Sequence, residues 1–329
     1  MKNVLVTGGA GYIGSHACKM LARAGYIPIV FDNLVNGHRW AVKWGPFEEG
    51  DIADRKRLDT VVKKYKPKTI MHFAAEAYVE ESIKNPGKYY RNNVAGTLVL
   101  LETMRDNLIK NIILSSSCAT YGIPEQIPIP EEHPQNPINP YGFSKFMCEQ
   151  MIKDFSTAHD MQFVILRYFN AAGADPETEI GETHEPETHL IPLVLDVAIK
   201  KQKYIKIFGT DYDTHDGTCI RDYIHVSDLA NAHLLALEYL RNGGKSDIFN
   251  LGNGSGFSVR EVIKTVETVT GKNIKCIEQQ RRKGDPPILI GSSKKAKEIL
   301  GWEARYDKLE NIINTAFEWH KKADLYRTI

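Results

Sequence analysis

Tyr141 and Lys145 stand four residues apart in Asn139-Pro140-Tyr141-Gly142-Phe143-Ser144-Lys145, downstream of the run Ser115-Ser116-Ser117. On a helix, side chains at i and i+4 share one face. A lysine ammonium held there beneath a phenol favours the phenolate and lowers a pKa that is about 10 for free tyrosine. Such a tyrosine can take a proton from a hydroxyl near neutral pH while the adjacent carbon gives up hydride. The serines end a predicted strand just before the Tyr141 helix, so serine and tyrosine can converge on one alcohol. The trio points to redox chemistry at an alcohol carbon.

Hydride needs an acceptor, and the chain opens with a loop suited to one. Gly8, Gly11 and Gly14 in Thr7-Gly8-Gly9-Ala10-Gly11-Tyr12-Ile13-Gly14 lie between a predicted strand and a predicted helix, with GxxGxxG spacing. Glycine there permits a tight turn, brings backbone N–H groups close to a pyrophosphate and lets the helix pack on its strand. Asp32 closes the second predicted strand 18 residues after Gly14. Its carboxylate can accept hydrogen bonds from adenosine ribose hydroxyls and would repel a 2′-phosphate, so NAD is expected over NADP. Asp51 and Ile52 follow a short strand and suit an adenine, the carboxylate meeting the exocyclic amine and Ile52 the ring.

The elements that position these groups follow from periodicity. Residues 3–7, 27–32, 69–73, 111–116 and 163–168 read as buried parallel strands, with helices near 12–24, 54–65, 86–107 and 140–158. That alternation predicts an α/β fold, a Rossmann-type doubly wound parallel sheet with a smaller mixed α/β C-terminal substrate lobe. The texture changes after Asn170, which divides the chain into an NAD-binding domain over 1–170 and a second lobe over 171–329. A returning strand near 248–251 is expected to rejoin the first domain. Helices are expected near 190–201, 227–242, 259–270, 293–300 and 308–321. Ser258 and Glu261 have capping-box spacing, and Gly271 suits the C-terminal stop of that helix.

Forty-two Lys and Arg against 41 Asp and Glu leave a formal net charge of +1, so no global field favours nucleic acid or an anionic membrane. Basic runs such as Lys63-Lys64 and Arg281-Arg282-Lys283 lack the interleaved aromatics of a nucleic-acid surface. No apolar stretch approaches 18 residues and no charged leader precedes Val4, so a cytoplasmic protein without a membrane span is expected. Five scattered cysteines, Cys18, Cys118, Cys148, Cys219 and Cys276, fit reduced thiols. His184-Glu185-Pro186-Glu187-Thr188-His189 does not have HExxH spacing, and Pro186 opposes a helix. The segment reads as a substrate-facing loop, and no metal is expected.

With these residues in view, the chain resembles the extended short-chain dehydrogenase/reductase superfamily, and within it the nucleotide-sugar epimerases. The resemblance runs from Val4 to about Trp302 and is carried by Phe31-Asp32-Asn33-Leu34, Asn92-Asn93-Val94, Arg167-Tyr168-Phe169-Asn170 and Gly217-Thr218-Cys219-Ile220-Arg221-Asp222-Tyr223-Ile224-His225-Val226 as well as by the glycine loop. It implies that Tyr12 and Ile13 meet the pyrophosphate of NAD, Asp32 and Asn33 the adenosine end, and that Phe73, Ala74, Ala75, Asn92 and Tyr168 line the cofactor. It implies Ser117 as the catalytic serine, Tyr141 as the base and Lys145 as the ligand of the nicotinamide ribose. Asn170, Leu190, Phe208, Arg221, Tyr223, Arg282 and Asp285 match positions that hold a UDP-hexose, and two guanidiniums are suited to a diphosphate. Leu289 stands where a bulky tyrosine often accompanies restriction to unacetylated sugars. Cys118-Ala119-Thr120 departs from the usual order after the serine, and Ala77 replaces a cofactor-contacting lysine of some members.

The resemblance implies reversible epimerisation at carbon 4 through a transient 4-keto sugar, on UDP-glucose and UDP-galactose or also the N-acetylated pair. It further implies a homodimer built as a four-helix bundle from helices near 86–107 and 140–158. The alternatives are a dehydratase, a decarboxylase, or an NAD-sensing regulator without catalysis. Dehydration commonly uses Asp-Glu directly after the catalytic residue, which Cys118-Ala119 does not supply.

Overall fold

Val4 and Val6 point to one side of the first strand and Leu5 to the other, and all three are buried, as strands covered on both faces require. The computed structural model of the chain describes residues 2–282 and 285–327. Its main sheet has seven strands, all in parallel pairings. We label six of them β1 (Asn3–Thr7), β2 (Ile27–Asp32), β3 (Phe47–Glu49), β4 (Thr69–His72), β5 (Asn111–Ser117) and β6 (Gln162–Tyr168). Strand Asp247–Leu251 completes the sheet on the outer side of β6, and the order runs from it through β6, β5, β4, β1 and β2 to β3.

On one face Val6, Val30, Met71, Ile113 and Leu166 pack against Leu21, Leu229 and Leu237 of helices Tyr12–Arg23 and Val226–Arg241. On the other, Leu5, Ile29, Ile70, Ile112 and Ile165 meet Leu58, Leu101, Met104 and Ile152 of helices Arg55–Tyr65, Gly96–Asp106 and Pro140–His159. The strand order reverses between β1 and β4, where an open doubly wound sheet leaves a crevice at its carboxyl edge. Gly8, Asp32, Phe73 and Ser117 lie at that edge.

A separate apolar cluster joins Ile191 and Val194, Val262 and Val266, and Ile312 and Ile313 from helices Leu190–Ala198, Val259–Thr270 and Leu309–Arg327. Ser258 and Glu261 form the capping box reciprocally, and Gly271 ends its helix at φ +65°. Short strands of two to four residues, such as Ile205–Phe208 beside Cys276–Gln279, have too few positions to give a period and were not legible in the sequence.

One helix differs from its predicted form. The segment expected as a single helix near 86–107 is Pro86–Tyr89, a wide π turn over Tyr90–Ala95, then Gly96–Asp106. Asn93 supplies the reason: its buried amide accepts from Glu76 N and donates to Glu76 O and to the Ser144 hydroxyl, tying the turn to two other segments. All five cysteines are free, and among the described residues no helix is long and apolar enough to cross a membrane.

Candidate active site

The glycine turn is built for close approach. Gly8 has φ +72°, and a Cβ there would sit 2.5 Å from Ala74 N; a Cβ on Gly14 would sit 2.2 Å from Gly8 O. Gly11 caps helix Tyr12–Arg23 without any side-chain hydrogen bond, and no acidic residue occupies its first turn. The N-terminal amides are therefore left for an anion, which the helix dipole also favours. At the end of β2, Asp32 accepts from Ala10 N at 3.0 Å and Leu34 N at 2.9 Å. Burial pushes its carboxyl above the usual range, against those two hydrogen bonds. Asn33 donates to Asp51 at 2.9 Å, so both lie together at the β2–β3 edge. Ile52 is buried, its side chain pressed against Gly96. Phe73 N and Ala74 N both donate to Thr7 O, which brings Phe73, Ala74 and Ala75 beside the glycine turn. Asn92 donates to Asn93 within the π turn. Tyr12 reaches away from the turn to Gly173 O at 2.6 Å, and Ile13 packs on the core beneath. These features fit a dinucleotide.

Asn139 caps the next critical helix through Gly142 N at 2.9 Å, with Pro140 at its first position. A Cβ on Gly142 would stand 2.4 Å from Ala119 O, so glycine lets this helix close on the turn that carries Ser117. Tyr141 and Ser117 face each other there, close enough for the serine hydroxyl to favour the phenolate. Tyr168 lies opposite Ser117 in the β5–β6 register, and its hydroxyl bonds Ser115. Lys145 is buried one turn below, donating to Ser115 O at 2.9 Å.

The electrostatics correct one expectation. Burial pushes the Tyr141 phenol up to about 12, the Ser117 hydroxyl only partly opposing it, while burial also lowers Lys145. The ammonium is spent on a backbone carbonyl, and removing the phenol from water outweighs whatever the shared helix face supplies.

Across the crevice, Asn170 N donates to Asp222 O at 2.9 Å, and Asn170–Ala172 pairs in parallel with Tyr223–His225. Tyr223 is buried. Arg221 Nη2 is buried without a hydrogen-bond partner, 3.6 Å from Asp285. Arg282 holds the same carboxylate at 2.8 Å and lies over the Phe208 ring. Leu289 pairs with Arg221 in register. Leu190 opens helix Leu190–Ala198 and packs on the separate apolar cluster. Burial raises the Cys118 thiol to about 12 and the Arg221 charge opposes it, which puts this guanidinium within electrostatic reach of the Ser117 turn.

Residues 4–252 match the model of the NAD dependent epimerase/dehydratase family. The chain belongs to that family. A UDP-glucose 4-epimerase of Rhizobium meliloti (strain 1021) is 52% identical over 320 residues, covering 97% of each chain. The crystal structure of UDP-glucose 4-epimerase from Brucella ovis in complex with NAD superposes with a TM-score of 0.95 at 50% identity, covering 97% of this chain and 99% of that one. A UDP-glucose-4-epimerase from Stenotrophomonas maltophila with bound NAD and formylated UDP-arabinopyranose gives 0.96 at 37% identity over 100% of both.

In this member of the epimerase/dehydratase family the carboxyl edge of the sheet rests on a buried polar network that sequence reasoning did not single out. Glu149, one turn beyond Lys145, accepts from Arg167 Nη2 at 2.6 Å, from Ser116 Oγ at 2.5 Å and from Gln135 at 3.0 Å. Arg167 also donates to the Tyr121 hydroxyl, which donates to Asn250 on the returning strand. The signal was present: an arginine inside the apolar run Phe163-Val164-Ile165-Leu166-Arg167-Tyr168 must find a buried anion.

Proposed function

We infer that this chain catalyses the reversible, NAD-dependent epimerisation of a UDP-hexose at carbon 4, interconverting UDP-glucose and UDP-galactose through a transient 4-keto sugar. The observation that carries it is the approach of Tyr141 to Ser117 at the sheet's carboxyl edge, between a glycine turn and Arg221, whose buried Nη2 has no hydrogen-bond partner. NAD, held by Gly8, Gly11, Tyr12, Ile13, Gly14, Asp32 and Asn33, supplies when bound a reversible hydride acceptor and a positive charge.

The roles of the side chains follow from their chemistry. Tyr141 takes the carbon-4 hydroxyl proton and returns it to the other face. Ser117 hydrogen-bonds the same oxygen and keeps the phenol aimed. Lys145 fixes the β5 backbone beneath them and presents its ammonium toward the ribose side of the cofactor. Arg221 and Arg282 neutralise the diphosphate, and Asp285 accepts from a uridine ribose hydroxyl once the arginines turn to substrate. A sugar tethered through its UDP is free to turn over, which epimerisation requires. Dehydration is disfavoured because Cys118 and Ala119 carry no acid/base pair.

The division near residue 170 then separates cofactor chemistry from nucleotide-sugar recognition, although helix Val226–Arg241 and strand Asp247–Leu251 return to the first sheet. A homodimer is supported by exposed apolar side chains on the two helical segments expected to pair: Tyr90, Leu98, Phe143 and Met147. Five free cysteines support a reducing, cytoplasmic setting.

The test is turnover of UDP-galactose to UDP-glucose by wild type and Tyr141→Phe. Loss of the proton acceptor is expected to slow turnover at least ~10²-fold with UDP binding retained. A near-wild-type rate in the variant would reject the role given to Tyr141.

A further inference from the structure

The loop between strand Asn170–Ala172 and helix Leu190–Ala198 carries four metal-ligating side chains that the reaction does not use. Glu182, His184, Glu187 and His189 each present one donor atom, and all four atoms lie within 4.8 Å of one another. His189 Nδ1 is 2.8 Å from Glu182 Oε1 and 3.0 Å from Glu187 Oε1; His184 Nδ1 is 3.1 Å from the same Glu182 oxygen and 3.8 Å from the other Glu187 oxygen, Oε2. Four donors on bonds of about 2.0–2.1 Å at tetrahedral angles stand about 3.3 Å apart, the middle of that range. Sequence spacing argued against a metal because it assumed a helix. Pro186 instead marks a turn, and Glu182, outside the motif, joins the cluster.

A second observation separates this cluster from an ordinary set of ion pairs. His184 Nδ1 is buried and has no hydrogen-bond partner, although a Glu182 oxygen is 3.1 Å away. An N–H aimed at that oxygen would have made a hydrogen bond. Two donors pointed past each other at a common centre suit a shared cation. The Glu182 and Glu187 side chains are 7% and 11% exposed, while His189, at 44%, leaves a path for entry.

We propose that Glu182, His184, Glu187 and His189 form a closed, four-ligand site for a divalent transition metal of the zinc class. Two carboxylates and two neutral imidazoles around a dication give a locally neutral centre, and imidazole selects zinc over magnesium or calcium. All four positions are taken by protein, so the ion's work is structural. His184 stacks edge-on against Tyr12, at 6.2 Å between ring centroids, and against Tyr78 at 5.8 Å. Tyr12 and His184 line one small cavity with Gly11 of the glycine turn, so the ion would fasten the loop beside that turn. The competing account is that the two carboxylates simply hold protonated imidazoles. Burial lowers His184, but the two nearby carboxylates, Glu182 and Glu187, outweigh it and raise it to about 9.

The experiment loads chelator-treated full-length protein with Co²⁺ and with Zn²⁺ and compares wild type with the His184→Gln/His189→Gln double variant. Wild type is expected to bind about one equivalent, to show intense tetrahedral d–d bands without thiolate charge transfer, and to melt at a higher temperature with Zn²⁺. The double variant should lose the bands and the thermal shift. Weak octahedral bands, thiolate charge transfer from one of the five cysteines, or binding that survives the double substitution would each overturn the site. The wild-type spectrum decides by itself if the double variant fails to fold.

Discussion

The Lys145 ammonium donates to the carbonyl of Ser115 at 2.9 Å, which anchors helix Pro140–His159 to the end of β5. With that cation engaged, desolvation pushes the Tyr141 phenol up to about 12, so it favours the protonated form in the cofactor-free protein. Near neutral pH the phenolate is then a minor form. The additional charge that makes it a base must therefore come with the bound dinucleotide. A raised phenol pKa means that the basic form accumulates only as pH rises, so the acid limb of turnover climbs with pH. We expect the phenolate absorbance difference between wild type and Tyr141→Phe to develop near pH 12 without NAD and at distinctly lower pH with it. Identical titrations in the two states would reject the cofactor's share in activating Tyr141.

Arg221 and Arg282 share Asp285, yet their settings differ: Arg221 is 12% exposed and Arg282 59%. A charge-assisted hydrogen bond in a shielded site contributes ~1.5–3 kcal/mol, whereas an exposed pair is screened. Arg221→Met should raise the dissociation constant of UDP ~10–100-fold and the KM for UDP-galactose in step, with kcat changed far less, since the diphosphate is held alike throughout the reaction. Arg282→Met should cost only a few-fold. Calorimetric titration of UDP into both variants decides it, and equal losses would mean that burial is not what ranks them.

Leu289 lies beside Arg221 in the short ladder at the substrate side. A leucine leaves volume that a tyrosine ring would fill, so the N-acetylated UDP-hexoses are expected to be accepted. Leu289→Tyr should lower kcat/KM for UDP-N-acetylgalactosamine by ~10–200-fold relative to UDP-galactose, the scale on which pocket shape discriminates. Parallel assays with the two sugars measure it; an unchanged ratio would move the determinant elsewhere.

Much of this site could be read before any coordinates because its residues act through local spacing. Gly8, Gly11 and Gly14 sit within one turn, Tyr141 and Lys145 within one helical turn, and Asp32 at a strand end marked by its own apolar run. What stayed hidden depends on partners far apart in the chain. Lys145 finds Ser115 thirty residues upstream, and Tyr121 meets Asn250 across 129 residues. The phenol's raised pKa was equally invisible, because burial is set by the packing of whole elements. The π turn at Asn93 was unreadable for the same reason: its contacts with Glu76 and Ser144 come from segments on either side.

Glu149 and Arg167 test how far the reacting groups depend on this hidden framework. Glu149 has a fully buried side chain and Arg167 one that is 2% exposed; they join helix Pro140–His159 to β6, while the Ser116 bond to Glu149 adds β5. Removing one member of a buried pair leaves an uncompensated charge and costs ~3–5 kcal/mol. Glu149→Leu should therefore lower the urea midpoint strongly at unchanged slope, and Arg167→Leu should do likewise. The double variant Glu149→Leu/Arg167→Leu removes both charges and should recover much of that loss, giving a large favourable coupling in the double-mutant cycle. Turnover should fall in all three, since Ser117 is next to Ser116 on β5. Additive losses would show that the two side chains are stabilised by separate partners, Gln135 and Tyr121 among them, and that the pair does not hold the helix to the sheet.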